Sequence, residues 1–268
     1  ELANSEFYVF IDSDAYPKHP WLDSVEDVFL KNKKIGACGG PNLSPYSKLE
    51  EKKLISEIKK SFLVSQNADF LKYKKSKSGF IDFLPTCNLV VKRSAIENIE
   101  PMDSNLFAHE DISLNENIKK NGFKIYVENS SYVFHKDRLI KSFLKQRFIY
   151  GTEAFNVFLR YPCKASLKLF IATLPFISFL ILIFLSPAMF YGFLTHGYWF
   201  FILFKLSLFG VISVLLVVLF ESFRIFLGYK KDFLKIFSLL LSSIFLPGLG
   251  QVLRPFLKWK IRRSIWVH

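Results

Sequence analysis

The chain has 268 residues, a formal net charge of +13 and 51% hydrophobic residues, 17% of all residues being aromatic. That length has room for two domains, and the three cysteines (Cys38, Cys87, Cys163) are odd in number and widely spaced with no CxxC. They exclude a disulfide framework or a zinc site and fit free thiols in a reducing compartment. The charge is uneven, with +9 of the +13 lying between residues 166 and 268 beside apolar stretches. This fits an anionic membrane face, and no nucleic-acid module signature accompanies it, so nucleic acid is excluded as a partner class.

No signal-peptide pattern opens the sequence, and the chain begins at Glu1 directly before a strand, which reads as a start inside a domain. Phe7-Tyr8-Val9-Phe10-Ile11 reads as a strand buried on both faces, as in parallel sheets. It stops at Asp12-Ser13-Asp14. Carboxylates just past the end of a strand sit where α/β sheets bind ligands, and this pair suits a hard divalent cation, Mg²⁺ or Mn²⁺. The same triplet also reads as a turn cap. Pro20 is placed to start a helix carrying Leu22, Val25, Val28 and Phe29 on one face. Ile35 to Cys38 reads as a short strand running into Gly39-Gly40-Pro41, a turn that either brings backbone close to a ligand or simply reverses the chain.

Residues 48–75 read as a mostly helical Lys/Glu-rich stretch with a solvated face. Residues 83–91 are the next strand candidate, and Ser94-Ala95-Ile96-Glu97 has the pattern of a capping box. His109-Glu110-Asp111 opens a helix that ends at Asn121-Gly122. Acids in a first helical turn are favoured by the helix dipole, so Glu110 and Asp111 have a structural explanation by themselves. Residues 124–127 and 132–135 read as strands, the second ending in His135, a metal ligand or a satisfied core histidine.

Residues 138–160 read as an amphipathic helix on a membrane surface, with Arg138, Lys141, Lys145 and Arg147 among its cations. Residues 169–190 and 198–220 are apolar spans of membrane-crossing length, the second broken only by Lys205 near one end. The link at 191–197 carries no Lys or Arg and is expected outside, with the flanking cations and the first domain inside. Residues 236–253 form a third apolar stretch interrupted by Pro247-Gly248, either a crossing or a re-entrant segment.

These motifs stand in a specific order. Phe10-Ile11-Asp12-Ser13-Asp14, Gly39-Gly40-Pro41, Cys87-Asn88-Leu89-Val90-Val91-Lys92-Arg93, His109-Glu110-Asp111, Val133-Phe134-His135 and Gln146-Arg147-Phe148-Ile149-Tyr150-Gly151 together resemble family 2 glycosyltransferases of the GT-A fold. The likeness is to membrane-anchored bacterial enzymes of the succinoglycan- or exopolysaccharide-biosynthesis type. It covers residues 1–160 by motif and the membrane part in general character. The resemblance implies that Asp12 and Asp14 form a DxD motif holding Mg²⁺ or Mn²⁺ on a nucleotide-sugar diphosphate, with His135 completing the metal site. It implies that Asp111, with Glu110 beside it, supplies the general base, and that Gly39, Gly40, Asn88, Gln146 and Arg147 bind substrate. The activity implied is an inverting transfer of a sugar to a lipid-linked or saccharide acceptor, in a multi-pass bacterial inner-membrane protein whose catalytic domain is cytoplasmic.

The resemblance further implies an α/β, Rossmann-like GT-A domain at 1–137 lacking its N-terminal nucleotide-binding half, an interfacial helix and linker at 138–165, and a membrane domain at 166–268. A fragment of that kind is expected to bind a sugar nucleotide poorly. The Gln-x-x-Arg-Trp motif of processive synthases is incomplete, since Ile149 and Tyr150 stand at its last two places. That argues for transfer of single sugars. A haloacid-dehalogenase-type phosphatase also ends a strand in Asp-x-Asp, but Tyr16 replaces the Thr or Val it needs. A non-catalytic membrane scaffold is the other alternative.

Overall fold

The computed structural model describes residues 5–65, 77–97, 99–100, 102–196 and 198–257. Residues 66–75 of the Lys/Glu-rich stretch and the last part of the basic tail lie outside the described residues. The chain divides into two compact units. One comprises Glu1–Ser56, Ser65–Leu139 and Asn156–Lys168, the other Glu57–Val64, Ile140–Phe155 and Leu169–His268.

In chain order the elements up to residue 135 are β1 (Phe7–Ile11), β2 (Ala15–Pro17), α1 (Trp21–Lys31), β3 (Ile35–Gly39), β4 (Asn42–Leu43), α2 (Glu50–Lys60), α3 (Phe62–Ser65), β5 (Gly79–Ile81), β6 (Asn88–Lys92), α4 (Arg93–Ile96), α5 (Glu110–Lys120), β7 (Lys124–Val127) and β8 (Val133–His135). The first unit is mixed α/β. Its larger sheet has the order β1-β6-β3-β7-β5, with only the β3–β7 pair parallel, and a second sheet has the order β2-β8-β4. Alternation along β6 sends Leu89 and Val91 to one core with Leu114 and Ile118 of α5, and Val90 to another with Trp21, Val25, Val28 and Phe29 of α1. In β3 the alternation slips at a register shift between Ile35 and Ala37, which places Ile35 with Cys38 on the α1 side.

Several expectations change in detail. Strand β1 is an edge strand paired only with β6 and antiparallel to it, and Val9 is half exposed. An unbroken apolar run does not by itself specify a doubly buried central strand, because Phe7 and Ile11 serve one core while Phe10 serves the other. Helix α1 buries Trp21 where Leu22 was expected, since 21, 25, 28 and 29 form the continuous stripe and Leu22 points to solvent. The capping box at Ser94 does not form, because α4 already begins at Arg93 and lasts four residues without a side-chain cap. Helix α2 has the expected charged surface and also fully buries Leu54, Ile55 and Ile58.

The second unit is built on α6 (Ile140–Arg160), whose last residues group with the first unit, followed by α7 (Lys164–Ile171), α8 (Leu174–His196), α9 (Tyr198–Tyr229) and α10 (Phe233–Leu253). Three stretches are long and apolar enough to cross a membrane: Lys164–Gly192, Phe201–Tyr229 and Phe233–Phe256. Helices α8, α9 and α10 pack pairwise. The apolar window of α10 is 44% buried, against 6% for each of the other two. The expected link at 191–197 is mostly helical, since α8 runs to His196 and α9 begins at Tyr198.

The third span is one continuous helix through Pro247-Gly248. A proline removes the N–H that would bond the carbonyl four residues earlier. Here that carbonyl is Ser243 O, and the Arg147 side chain of α6 donates to it from Nε at 3.1 Å. The same problem in α8 is met locally, where Ser186 Oγ donates at 3.1 Å to Ile183 O, the carbonyl freed by Pro187. Neighbouring side chains of this kind are what allow proline inside apolar helices. Gly151 of α6 lies against the backbone of Pro247, where any Cβ would collide. Along residues 138–160, Lys141 and Lys145 are exposed, while Arg147 and Gly151 face α10.

Candidate metal centre and carboxylate site

Strand β1 delivers Asp12 to the end of the larger sheet, and the turn that follows, closed by Ala15 N donating to Asp12 O at 2.9 Å, hands the chain to β2. In the smaller sheet Ala15 pairs with His135, and Lys136 N donates to Asp14 O at 3.1 Å. These pairings bring Asp12, Asp14 and His135 together, although the histidine is more than 120 residues away in sequence. One ligand atom from each lies within 4.8 Å of the others. His135 Nε2 is 3.0 Å from Asp14 Oδ1 and 3.3 Å from Asp12 Oδ2.

The donor set fits a divalent cation on two counts. Nε2 of His135 is buried yet makes no hydrogen bond of acceptable geometry. The carboxylates are 45% and 42% exposed while the imidazole is only 17% exposed, so the cluster has a fixed inner ligand and an open outer side. Two carboxylates and one imidazole are oxygen-rich borderline ligands, suited to several divalent metals.

Asp111 stands in the first turn of α5, after His109 in the left-handed N-cap conformation, φ 68°. Burial raises its carboxyl to about 7, with the charge of Glu110 and, more weakly, that of Asp12 acting in the same direction; a hydrogen bond from Ile112 N opposes them. The influence of Asp12 links Asp111 electrostatically to the metal-ligand cluster. Asp111 is thereby poised for proton transfer near neutral pH, and Glu110 beside it is exposed.

The residues expected to bind substrate divide differently. Asn88 is fully buried, and its amide is occupied within the protein: Trp21 Nε1 donates to Oδ1 at 2.8 Å, and Nδ2 donates to Gly40 O and Ser131 O, each at 2.9 Å. Gly39 and Gly40 are buried too, and the backbone that approaches them closely is the protein's own, at Asn88 and Ser131. In this structure the contacts of these three residues are made within the protein, between the loops next to the cluster. Gln146 and Arg147 belong to the second unit, where Gln146 Nε2 donates to Tyr150 OH at 2.8 Å and Arg147 donates to Ser243 O. Burial pulls the Arg147 guanidinium down to about 10, which leaves it a cation at neutral pH.

Sequence reading passed over Asn42, next to the Gly39-Gly40-Pro41 turn. Its Nδ2 donates to Cys87 Sγ at 3.0 Å, and its Oδ1 is buried without a partner. The turn was the available signal, since a polar residue directly after it enters the smaller sheet one strand from His135. Comparison with protein-family models and with curated proteins finds no match for this chain.

Proposed function

We propose that this chain carries the catalytic carboxylates of a metal-dependent, inverting glycosyltransferase of the GT-A fold. In this reading it moves a sugar from a nucleotide-sugar donor to a lipid-linked acceptor at the cytoplasmic face of a bacterial inner membrane. The reading is supported above all by the cluster of Asp12, Asp14 and His135 at the strand end, with Asp111 electrostatically coupled to it. Three helices of membrane-crossing length support an acceptor that is itself membrane-bound.

Asp12, Asp14 and His135 would hold the divalent cation, which when bound supplies electrostatic stabilisation for a departing nucleoside diphosphate. Asp111 supplies the other half of the chemistry. Its carboxylate takes the proton of the acceptor hydroxyl as that oxygen bonds to the anomeric carbon. The bond from that carbon to the diphosphate oxygen breaks, and the electron pair leaves with the nucleotide. A single displacement of this kind inverts the anomeric centre and needs no covalent nucleophile. The hydrogen bond from Ile112 N holds one carboxylate oxygen in place.

The test uses native membranes containing the protein, with labelled UDP-glucose, UDP-galactose, UDP-N-acetylglucosamine and GDP-mannose. Label is expected in the lipid fraction with Mn²⁺, and neither with EDTA nor with Asp14→Asn or Asp111→Asn. Transfer that persists in EDTA and in both variants overturns the reading. So does a complete absence of both transfer and binding for every donor.

A further inference from the structure

Two buried polar atoms in the α/β unit lack a hydrogen-bond partner among the described residues, His135 Nε2 and Asn42 Oδ1. They lie on adjacent strands of the smaller sheet. Asn42 of β4 pairs with Val133 of β8, two residues before His135, so by strand alternation Asn42 and His135 share a face. Strand spacings place them about 8 Å apart. The other end of the Asn42 side chain meets Cys87, the residue before Asn88, and Asn88 pairs with Ile11, the residue before Asp12. Asn42 and Cys87 thus flank the metal-ligand cluster from the side of β4 and β6.

Exchanging the amide oxygen and nitrogen of Asn42 does not give both atoms a partner. Cys87 can satisfy one amide atom in either orientation, and the other is left over. A buried amide atom without a partner is unfavourable, and a hydrogen-bond donor brought by a ligand would satisfy it. A carbonyl oxygen repels a phosphate and accepts from a hydroxyl. Next to a cluster suited to a cation on a diphosphate, the nearest hydroxyls are those of the sugar attached to that diphosphate.

We infer that Asn42 is a specificity-determining residue whose buried amide oxygen accepts a hydrogen bond from one hydroxyl of the transferred sugar. The inference rests on the glycosyltransferase reading above and names the part of the donor that this residue reads. A site that hydrogen-bonds a hydroxyl rejects the analogue lacking it, because the protein group is then left unpaired.

The experiment takes whichever of the four donors supports transfer and compares it with each of its monodeoxy analogues, in native membranes containing wild type, Asn42→Ala or Cys87→Ala. Competition binding of the same nucleotides gives affinities independent of turnover, and the electron paramagnetic resonance of Mn²⁺ reports the metal cluster. Wild type is expected to use one analogue about 100-fold less well than the parent donor. Asn42→Ala narrows that gap to a few-fold, chiefly by weakening the parent donor in KM and in binding, with Mn²⁺ affinity unchanged. Cys87→Ala keeps the full discrimination, because it removes a neighbour of the amide and not the reading atom. Should Asn42→Ala fail to accumulate in the membrane, Asn42→Ser carries the test. Retained discrimination in the Asn42 variant overturns the inference, as does an equal loss in Cys87→Ala or a fall in Mn²⁺ affinity on changing Asn42. Absence of transfer by wild type overturns the underlying reading instead, whatever Asn42 does.

Discussion

The two units differ in how their polar groups find partners. In the helical unit polar groups are matched closely to partners. The carbonyl freed by Pro247 receives Arg147, and the one freed by Pro187 receives Ser186. The buried Glu221 binds Arg224 through two hydrogen bonds at 2.6 and 2.7 Å and also accepts from Ser61 and from Phe62 N. The one exception among the described residues is Arg254 Nε, on a side chain whose guanidinium end lies 3.6 Å from Glu153. In the α/β unit, by contrast, polar atoms are left over in one neighbourhood, at His135 and Asn42, close to two partly exposed carboxylates. Apolar surroundings make an unmatched polar group costly wherever it occurs. In the proposed reading, pairing marks the polar groups that hold the structure, and His135 and Asn42 are the groups that meet metal and donor.

The largest effect that tests this contrast is expected at the carboxylates. Asp14→Asn should lower sugar transfer by about 1,000-fold, more than the 10- to 100-fold typical of residues that only orient a ligand. A readout without turnover accompanies it. Mn²⁺ at 100 times its dissociation constant should stabilise the wild-type protein by about 2.7 kcal/mol and leave Asp14→Asn unchanged. Equal stabilisation of both proteins would place the metal elsewhere.

Next comes Asp111. Loss of a general base is expected to lower kcat by about 100- to 10,000-fold in Asp111→Asn. The same variant should gain stability at high pH. The folded protein holds the Asp111 proton more tightly than the unfolded chain, about 7 against 3.8. The contribution of this group is therefore fully present below pH 4 and is lost as pH rises through 7. In EDTA, wild type should lose up to about 4 kcal/mol relative to Asp111→Asn across that window. Parallel stability curves for the two proteins would show that Asp111 is not desolvated in the fold.

How much of this was legible follows from distance along the chain. Asp12 and Asp14 announce themselves locally, as carboxylates closing an apolar run, and α5 is bracketed by His109 and Gly122 as its sequence suggests. The three apolar helices are likewise local, because span length and hydropathy are sums over neighbours. What could not be read is which partner each polar group finds. Asn88 has the sequence look of a binding residue and is tied to Trp21, 67 positions away. Arg147 reads as a cation on a surface helix and is fixed to Ser243, 96 positions away. Residue type sets what a side chain can do, but tertiary pairing decides whether that capacity is already taken.

The paired side of the contrast is sharpest at Arg147. Removing it leaves Ser243 O with no donor in a helix that Pro247 has already opened, so Arg147→Ala should cost about 2 kcal/mol in thermal or denaturant unfolding of the detergent-solubilised protein. The cause is separable from lost packing by a double-mutant cycle. Pro247→Ala returns a backbone N–H to Ser243 O, and in that background Arg147→Ala should cost about 1 kcal/mol less. Strict additivity of the two substitutions would mean that Arg147 stabilises the unit through its bulk or charge and not by replacing the missing N–H.

The smallest effect belongs to Ser186. Its hydroxyl bonds Ile183 O within the same turn of α8, so the carbonyl freed by Pro187 is satisfied without a second helix. Side-chain hydrogen bonds in apolar helices contribute about 0.6 kcal/mol on average, because the unfolded state in a membrane also finds partners. Ser186→Ala should therefore cost about that much, and Ser186→Thr, which keeps the hydroxyl, should cost less. Pro187→Ala should abolish the difference, since the helix then supplies its own N–H to Ile183 O. The comparison with Arg147 separates two ways of tolerating proline, one local and weak, the other long-range and strong. A loss at Ser186→Ala equal to that at Arg147→Ala would erase the distinction, because it would show that the cost follows the orphaned carbonyl and not the partner that covers it.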